Sequence, residues 1–293
     1  MIFQGCGTAL ITPFTKDNVD FDAYSRHLDF QLENGIDAAI VLGTTGEPST
    51  MTAEEKTAVI RLAISKLKGK IPVIVGAGSN STAAAVENAK QAEELGADAI
   101  LVVTPYYNKC TQGGLTAHYS AIADAVSIPI IAYNVPARTG VNLLPATFAK
   151  LAKTYSNIVA IKEASGNIDQ IQEVIRLTDG IADVYSGDDS LTVAICAMGG
   201  KGIISVASNI IPKYMADMCD SFYAGDLKTA RAMQLKVLPF IKALFSEVNP
   251  IPVKYASKLM RLSSGIVRLP LTEIAEDNAK TLKALLEDLT DKL

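Results

Sequence analysis

Short apolar runs rich in β-branched residues recur along the first two thirds of the chain, and longer helical patterns separate them. The runs are TALITPF (8–14), AAIVLG (38–43), PVIVGAG (72–78), AILVVTP (99–105), PIIAYNVP (129–136), IVAIKEAS (158–165), DVYSG (183–187) and GIISVAS (202–208). Near-continuous hydrophobicity predicts strands covered on both faces, and the helical spacers predict parallel βαβ connections. Eight such units fit a closed (β/α)8 TIM barrel better than an open doubly wound sheet. The punctuation agrees: Thr52 and Glu55 form a capping-box pattern, and the helical period of AAAVENAKQAEELGAD ends at Gly96, a natural helix terminator. Beyond residue 209 only helical segments follow, among them DLKTARAMQLKVLPFIKALF and LTEIAEDNAKTLKALLEDL, with no Gly/Ser-rich or Pro-rich linker before them. The expected organisation is a catalytic barrel over 1–224 and a C-terminal helical extension over 225–293 packed on it.

Composition excludes several functional classes. With 49% hydrophobic and 20% charged residues the chain is that of a globular protein with a sizeable core. A net charge of −4 and no Lys/Arg cluster give no footprint for nucleic acid. No run approaches the length of a membrane span, and the opening MIFQGCGTAL lacks the basic region of a signal peptide, so no membrane partner and a cytoplasmic location are expected. The four cysteines, Cys6, Cys110, Cys196 and Cys219, form no CxxC pair and read as free thiols. The two histidines, His27 and His118, fall inside predicted helices as surface or packing residues, so no metal site is expected.

The most chemical position is Lys162, at the end of the sixth run. Strand alternation places Ile158, Ala160 and Lys162 on one face and Val159, Ile161 and Glu163 on the other. An ammonium in a dry interior is costly, so the position needs an ion pair, an exit to solvent, or a function. Desolvation lowers a lysine's pKa and supplies neutral amine, which can attack a ketone and form a Schiff base. On the preceding run, alternation turns Tyr133 to the same side as Ile131 and Pro129. A phenol there, hydrogen-bonded to Thr44 and another tyrosine, could pass protons, although a packed aromatic would look the same.

Barrel active sites form at the C-terminal ends of the strands. The residues collected there are Thr12 and Pro13, GTTGE (43–47), Gly76 and Gly78, Tyr106 and Tyr107, Tyr133 and Asn134, Lys162 and Glu163, Gly187 to Asp189, and Ser205. GTTGE offers hydroxyls and amides to a carboxylate, or is merely a βα loop. Arg138, in NVPARTG, carries a fork suited to a carboxylate, or is a solvated surface arginine.

Taken in order, GTTGE, YYNK (106–109), YNVPARTG (133–140), IKEASG (161–166), SGDD (186–189) and NPIPVKYA (249–256) resemble the dihydrodipicolinate synthase branch of the pyruvate-dependent class I aldolases. The resemblance covers nearly the whole chain. It implies condensation of pyruvate with L-aspartate-4-semialdehyde in the diaminopimelate route to lysine, without metal or other cofactor. By the same resemblance Lys162 forms the Schiff base, and Tyr133, Thr44 and Tyr107 form a proton relay, Tyr107 coming from a neighbouring subunit of a homotetramer. Thr45 and the backbone around Gly187 and Ile204 match positions that hold the pyruvyl group, and Arg138 matches the residue that binds the semialdehyde carboxylate. Ser49, Lys56, Asn80, Ala84 and Tyr106 match an allosteric lysine site. Position 84 is a glutamate in feedback-sensitive members, so the resemblance implies weak or absent inhibition here. N-acetylneuraminate lyase and 2-keto-3-deoxy sugar acid aldolases share the lysine and tyrosine and remain the alternative enzymes. A non-catalytic barrel that senses a keto acid is the alternative from another class.

Overall fold

The computed structural model describes residues 1–290. Strands β1 (Gly5–Ala9), β2 (Ala38–Val41), β3 (Val73–Gly76), β4 (Ala99–Val103), β5 (Ile130–Asn134), β6 (Ile158–Glu163), β7 (Asp183–Ser186) and β8 (Gly202–Ser205) close into a barrel in sequence order. Each is parallel to its neighbours, and β8 pairs back onto β1. Helices follow the strands as the alternation predicts. The capping box at Thr52 and Glu55 opens the helix Ala53–Leu67, and Gly96, at φ 95°, ends the helix Thr82–Leu95.

Side chains fill the barrel interior: Ala38, Ile40, Ile74, Ala99, Leu101, Ile131, Ala160 and Ile204 pack there with Tyr133. At its N-terminal end Phe3 stacks on Tyr185, with centroids 4.3 Å apart, and the Tyr185 hydroxyl donates to the Phe3 carbonyl at 2.7 Å. That end is plugged, so a small molecule enters only from the other.

Two expectations from strand reading are corrected. The first strand is Gly5–Ala9 rather than 8–14. Its sequence, GCGTA, has small residues because β1 and β8 approach closely: a Cβ at Gly202 would lie 1.9 Å from the Gly5 carbonyl oxygen. Leu10, Ile11 and Phe14, which gave the run its apolar character, are buried beyond the strand end. The second correction concerns Ile158. It packs in the outer cluster with Ile161, while Ala160 lies in the inner one. The register shifts between Ile130 and Ile131, which pair with Ile158 and Ala160, so Val159 is the extra residue of a bulge. Alternation therefore holds only from Ala160 onward, which still turns Lys162 inward.

After β8 come the helices Pro212–Tyr223, Leu227–Leu244, Ile251–Leu259 and Glu276–Thr290. The last begins five residues later than the helical pattern from Leu271 predicts. A single apolar cluster joins Cys6 and Ile203 of the barrel to Met215, Val237, Phe240, Val253, Leu282 and Leu286. The expected boundary at 224/225 falls in the turn between the first two of these helices.

Candidate active site

Lys162 lies at the C-terminal end of β6, directly opposite Tyr133 on β5 in the register. It is 5% exposed, and its Nζ sits 4.5 Å from the Tyr133 ring centroid. Among the described residues no carboxylate comes within ion-pairing distance of it. Neither structural reason for a strand-end lysine therefore applies. Burial pushes its pKa down to about 8, with Asp189 and Asp188 holding it up and Arg138 pressing it further down. Half of such a lysine is neutral at pH 8, against about 0.3% for an ordinary one. The aromatic face steadies the remaining ammonium without removing the free amine.

The strand-seven loop shapes the space around that amine. Gly187 is required there, because a Cβ would lie 2.5 Å from the Ala164 Cβ and 3.1 Å from the Lys162 Cε. Asp189 is wholly buried, accepting hydrogen bonds from the Ser205 hydroxyl and the Val206 and Ala207 amides. Its neighbour Asp188 lines the chamber above Lys162. Burial raises the pKa of both carboxyls, and the Lys162 charge opposes the rise. An iminium formed at Nζ would face the same two carboxylates, which favour its positive charge.

GTTGE folds into a tight 3-10 turn, Thr44–Gly46, after β2. Thr44 is exposed toward the cavity, and Thr45 is buried, its Oγ1 accepting from Asn249 Nδ2 at 2.9 Å. Tyr133 is buried, which pushes its phenol up to about 12, so the hydroxyl stays protonated near neutrality. The expected hydrogen bond between the Tyr133 and Thr44 hydroxyls is not formed among the described residues, although both line the same space. Arg138, in the short helix Pro136–Thr139, donates to the Asn249 carbonyl at 3.3 Å.

Two adjoining cavities result. A chamber of about 70 Å³ is walled by Lys162, Thr44, Thr45, Tyr133, Arg138, Gly187, Asp188 and Asn249, among others. A larger cavity of about 560 Å³ shares Gly43, Thr44, Leu101, Tyr133, Val135 and Arg138 with it and extends to Ser49, Lys56, Ala84 and Tyr106. The chamber suits a small acid, and the larger space admits a second reactant beside it.

Three expected residues lie elsewhere. Tyr107 is 89% exposed at φ 70° and lines neither cavity, because its loop turns outward from the barrel mouth. Ile204 is buried in the barrel interior, and Val206, two residues on, reaches the chamber instead. Asn80 is absent from the larger cavity's wall, and its carbonyl accepts from Asn108. His27 and His118 are packing residues, bonded to Asn209 and Thr82 respectively, and burial lowers the first to about 4. The four cysteines are free thiols.

Sequence reasoning gave no role to Asn249 or to Lys254. Lys254 is fully buried and pairs with Glu47 of the GTTGE turn. The signal was present in NPIPVKYA, where a lysine sits within an apolar helical stretch.

The model of the dihydrodipicolinate synthetase family matches residues 2–289. A 4-hydroxy-tetrahydrodipicolinate synthase of Caldicellulosiruptor bescii is 54% identical over 288 residues, which cover 98% of this chain and 97% of that protein. The solved dihydrodipicolinate synthase of Thermotoga maritima superposes with a TM-score of 0.97 at 46% identity, covering 98% and 99% of the two chains. A chloride-inhibited dihydrodipicolinate synthase of Acinetobacter baumannii, solved in complex with pyruvate, has a TM-score of 0.96 at 44% identity, covering 99% of each chain.

Proposed function

Because the chain belongs to the dihydrodipicolinate synthetase family, we infer that it is a lyase with the activity of 4-hydroxy-tetrahydrodipicolinate synthase, joining pyruvate to L-aspartate-4-semialdehyde in lysine biosynthesis. One observation carries the reading: a buried amine with no countercharge in contact faces a protonated phenol in a chamber fit for a small keto acid.

The neutral Lys162 amine attacks the pyruvate ketone to give a carbinolamine. Loss of its hydroxyl as water, with the proton supplied from Tyr133, leaves an iminium that Asp188 and Asp189 favour electrostatically. The Tyr133 phenolate left by that step takes a methyl proton, giving an enamine whose carbon attacks the semialdehyde held in the larger cavity, and the alkoxide so formed takes the proton back from Tyr133. Arg138 receives the carboxylate of that second substrate, at the junction of the two spaces. The product's own amine displaces Lys162 and closes the ring. Thr44 carries protons between Tyr133 and the cavity, and Thr45 with the backbone around Gly187 and from Ile204 to Val206 holds the pyruvyl group.

Tyr107 completes the relay from a second copy of the chain. Its exposed ring on an outward loop supports this role, within a homotetramer built from dimers. Mixing inactive Lys162→Ala and Tyr107→Phe chains under subunit exchange should restore turnover, because some sites then hold both intact residues. No recovery in verified mixed oligomers would reject the shared site. No described helix is long and apolar enough to cross a membrane, and the proposed reaction, on small water-soluble acids of a biosynthetic route, places the work in the cytoplasm.

Lysine feedback should be weak. Ala84 and Lys56 line the larger cavity, so a lysine ligand would find no carboxylate from residue 84 and a like charge at residue 56. The decisive assay couples pyruvate to L-aspartate-4-semialdehyde and compares it with cleavage of N-acetylneuraminate. Turnover of the first alone is expected, and preference for the second would assign the chain to the sugar-acid aldolases.

A further inference from the structure

We propose that Lys254, in the C-terminal helical extension, is a positioning residue for the reaction: through its buried ion pair with Glu47 it fixes Thr44 in the proton relay.

The connection runs through named contacts. Lys254 Nζ meets the Glu47 carboxylate, lies 3.9 Å from the Phe14 ring centroid, and donates to the Ile266 carbonyl at 2.8 Å. Lys254 is 0% exposed and Glu47 3%. The second carboxylate oxygen accepts from the Arg268 amide at 3.1 Å, while the Arg268 guanidinium forks onto Glu55 at 2.6 and 2.7 Å. Glu47 is thus gripped from the extension by two residues, one of them braced against the N-terminus of the helix Ala53–Leu67.

Glu47 is also the residue that ends the turn bearing Thr44. Its backbone is left-handed, at φ 55° and ψ 41°, a conformation that L side chains rarely adopt without outside support. In that conformation its amide donates to the Thr44 carbonyl at 3.2 Å. Holding the Glu47 carboxylate therefore holds the residue whose amide tethers Thr44. Burying two charges offers little net stability over an apolar pair, so stability alone is a weak reason for this arrangement. Geometric control of an exposed hydroxyl beside Tyr133 is a sufficient one, since misplacement by about 1 Å can cost roughly 10²-fold in rate.

A double-mutant cycle on kcat at saturating substrates tests the role, and it rests on the reaction proposed above. Glu47→Gln, Thr44→Val and the double variant are compared with wild type in the condensation assay. Glu47→Gln should lower kcat by roughly 10- to 100-fold in the wild-type background and by less than about threefold where Thr44 is already valine. Lys254→Met should repeat that pattern. Equal losses in both backgrounds, or no loss, would overturn the proposal. A role in folding alone would lower Tm without this non-additivity. If Glu47→Gln does not fold, Glu47→Asp replaces it in the cycle, and failure of both to fold assigns the pair to folding and overturns the proposal. Absence of turnover in wild type would instead reject the reaction itself.

Discussion

Lys162 and Lys254 occupy nearly identical physical settings, one on barrel strand β6 and the other in the C-terminal helical extension. They are 5% and 0% exposed, each lies over an aromatic ring, and burial pushes each down to about 8. They differ in one respect: Lys254 touches a carboxylate and a carbonyl, and Lys162 touches neither. Desolvation alone therefore does not make a nucleophile. A buried ammonium with a partner is a fastener, whereas one whose opposing charges, Asp188 and Asp189, stand off from contact keeps an amine available.

That contrast can be broken most forcefully at Lys162. Lys162→Ala should lower kcat/KM for the condensation by roughly 10³-fold or more, read in the coupled assay, because no other described amine faces the chamber. Tyr133→Phe should cost about 10²- to 10³-fold, with pyruvate still trapped on the enzyme. The same substitution, Lys to Met, should then have opposite effects on stability at the two sites. Lys254→Met strands the buried Glu47 carboxylate and should lower Tm by roughly 10 °C, from a loss of about 3 to 5 kcal/mol.

Lys162→Met should instead raise stability at pH 7. The folded pKa of Lys162 is depressed from 10.5 to about 8, so its charged form is disfavoured by folding. The cost, on the order of 3 kcal/mol, is fully present below pH 8 and disappears as pH rises toward 10.5. The gain from Lys162→Met, measured by denaturant titration, should shrink over that window. A smaller effect is expected from Asp188→Asn, which removes a charge that holds the lysine up. The apparent pKa on the rising limb of kcat/KM for pyruvate should fall below that of wild type.

Much of this was legible in the sequence because hydrophobic burial writes itself into contiguous runs. Seven of the eight strands, and the inward turn of Lys162 and Tyr133, followed from such runs. What escaped depends on contacts distant in sequence. GCGTA does not look like a strand until β8 is beside it, and the bulge at Val159 exists only in the pairing with β5. Lys254 was open to the same question as Lys162, but on a helix the buried phase is set by packing partners, here Glu47 and Phe14, more than 200 residues away in the chain. The outward set of Tyr107 arises from a positive-φ loop that no periodicity encodes.

The proposed chemistry requires Lys162 to present a neutral amine near physiological pH. The most direct measurement is the pH dependence of borohydride trapping with saturating pyruvate, with the modified peptide identified by mass spectrometry. A pyruvyl adduct is expected on the peptide carrying Lys162, with an initial trapping rate that rises with a midpoint near pH 8. An adduct on another lysine, or a midpoint near the ordinary lysine value of about 10.4, would contradict it.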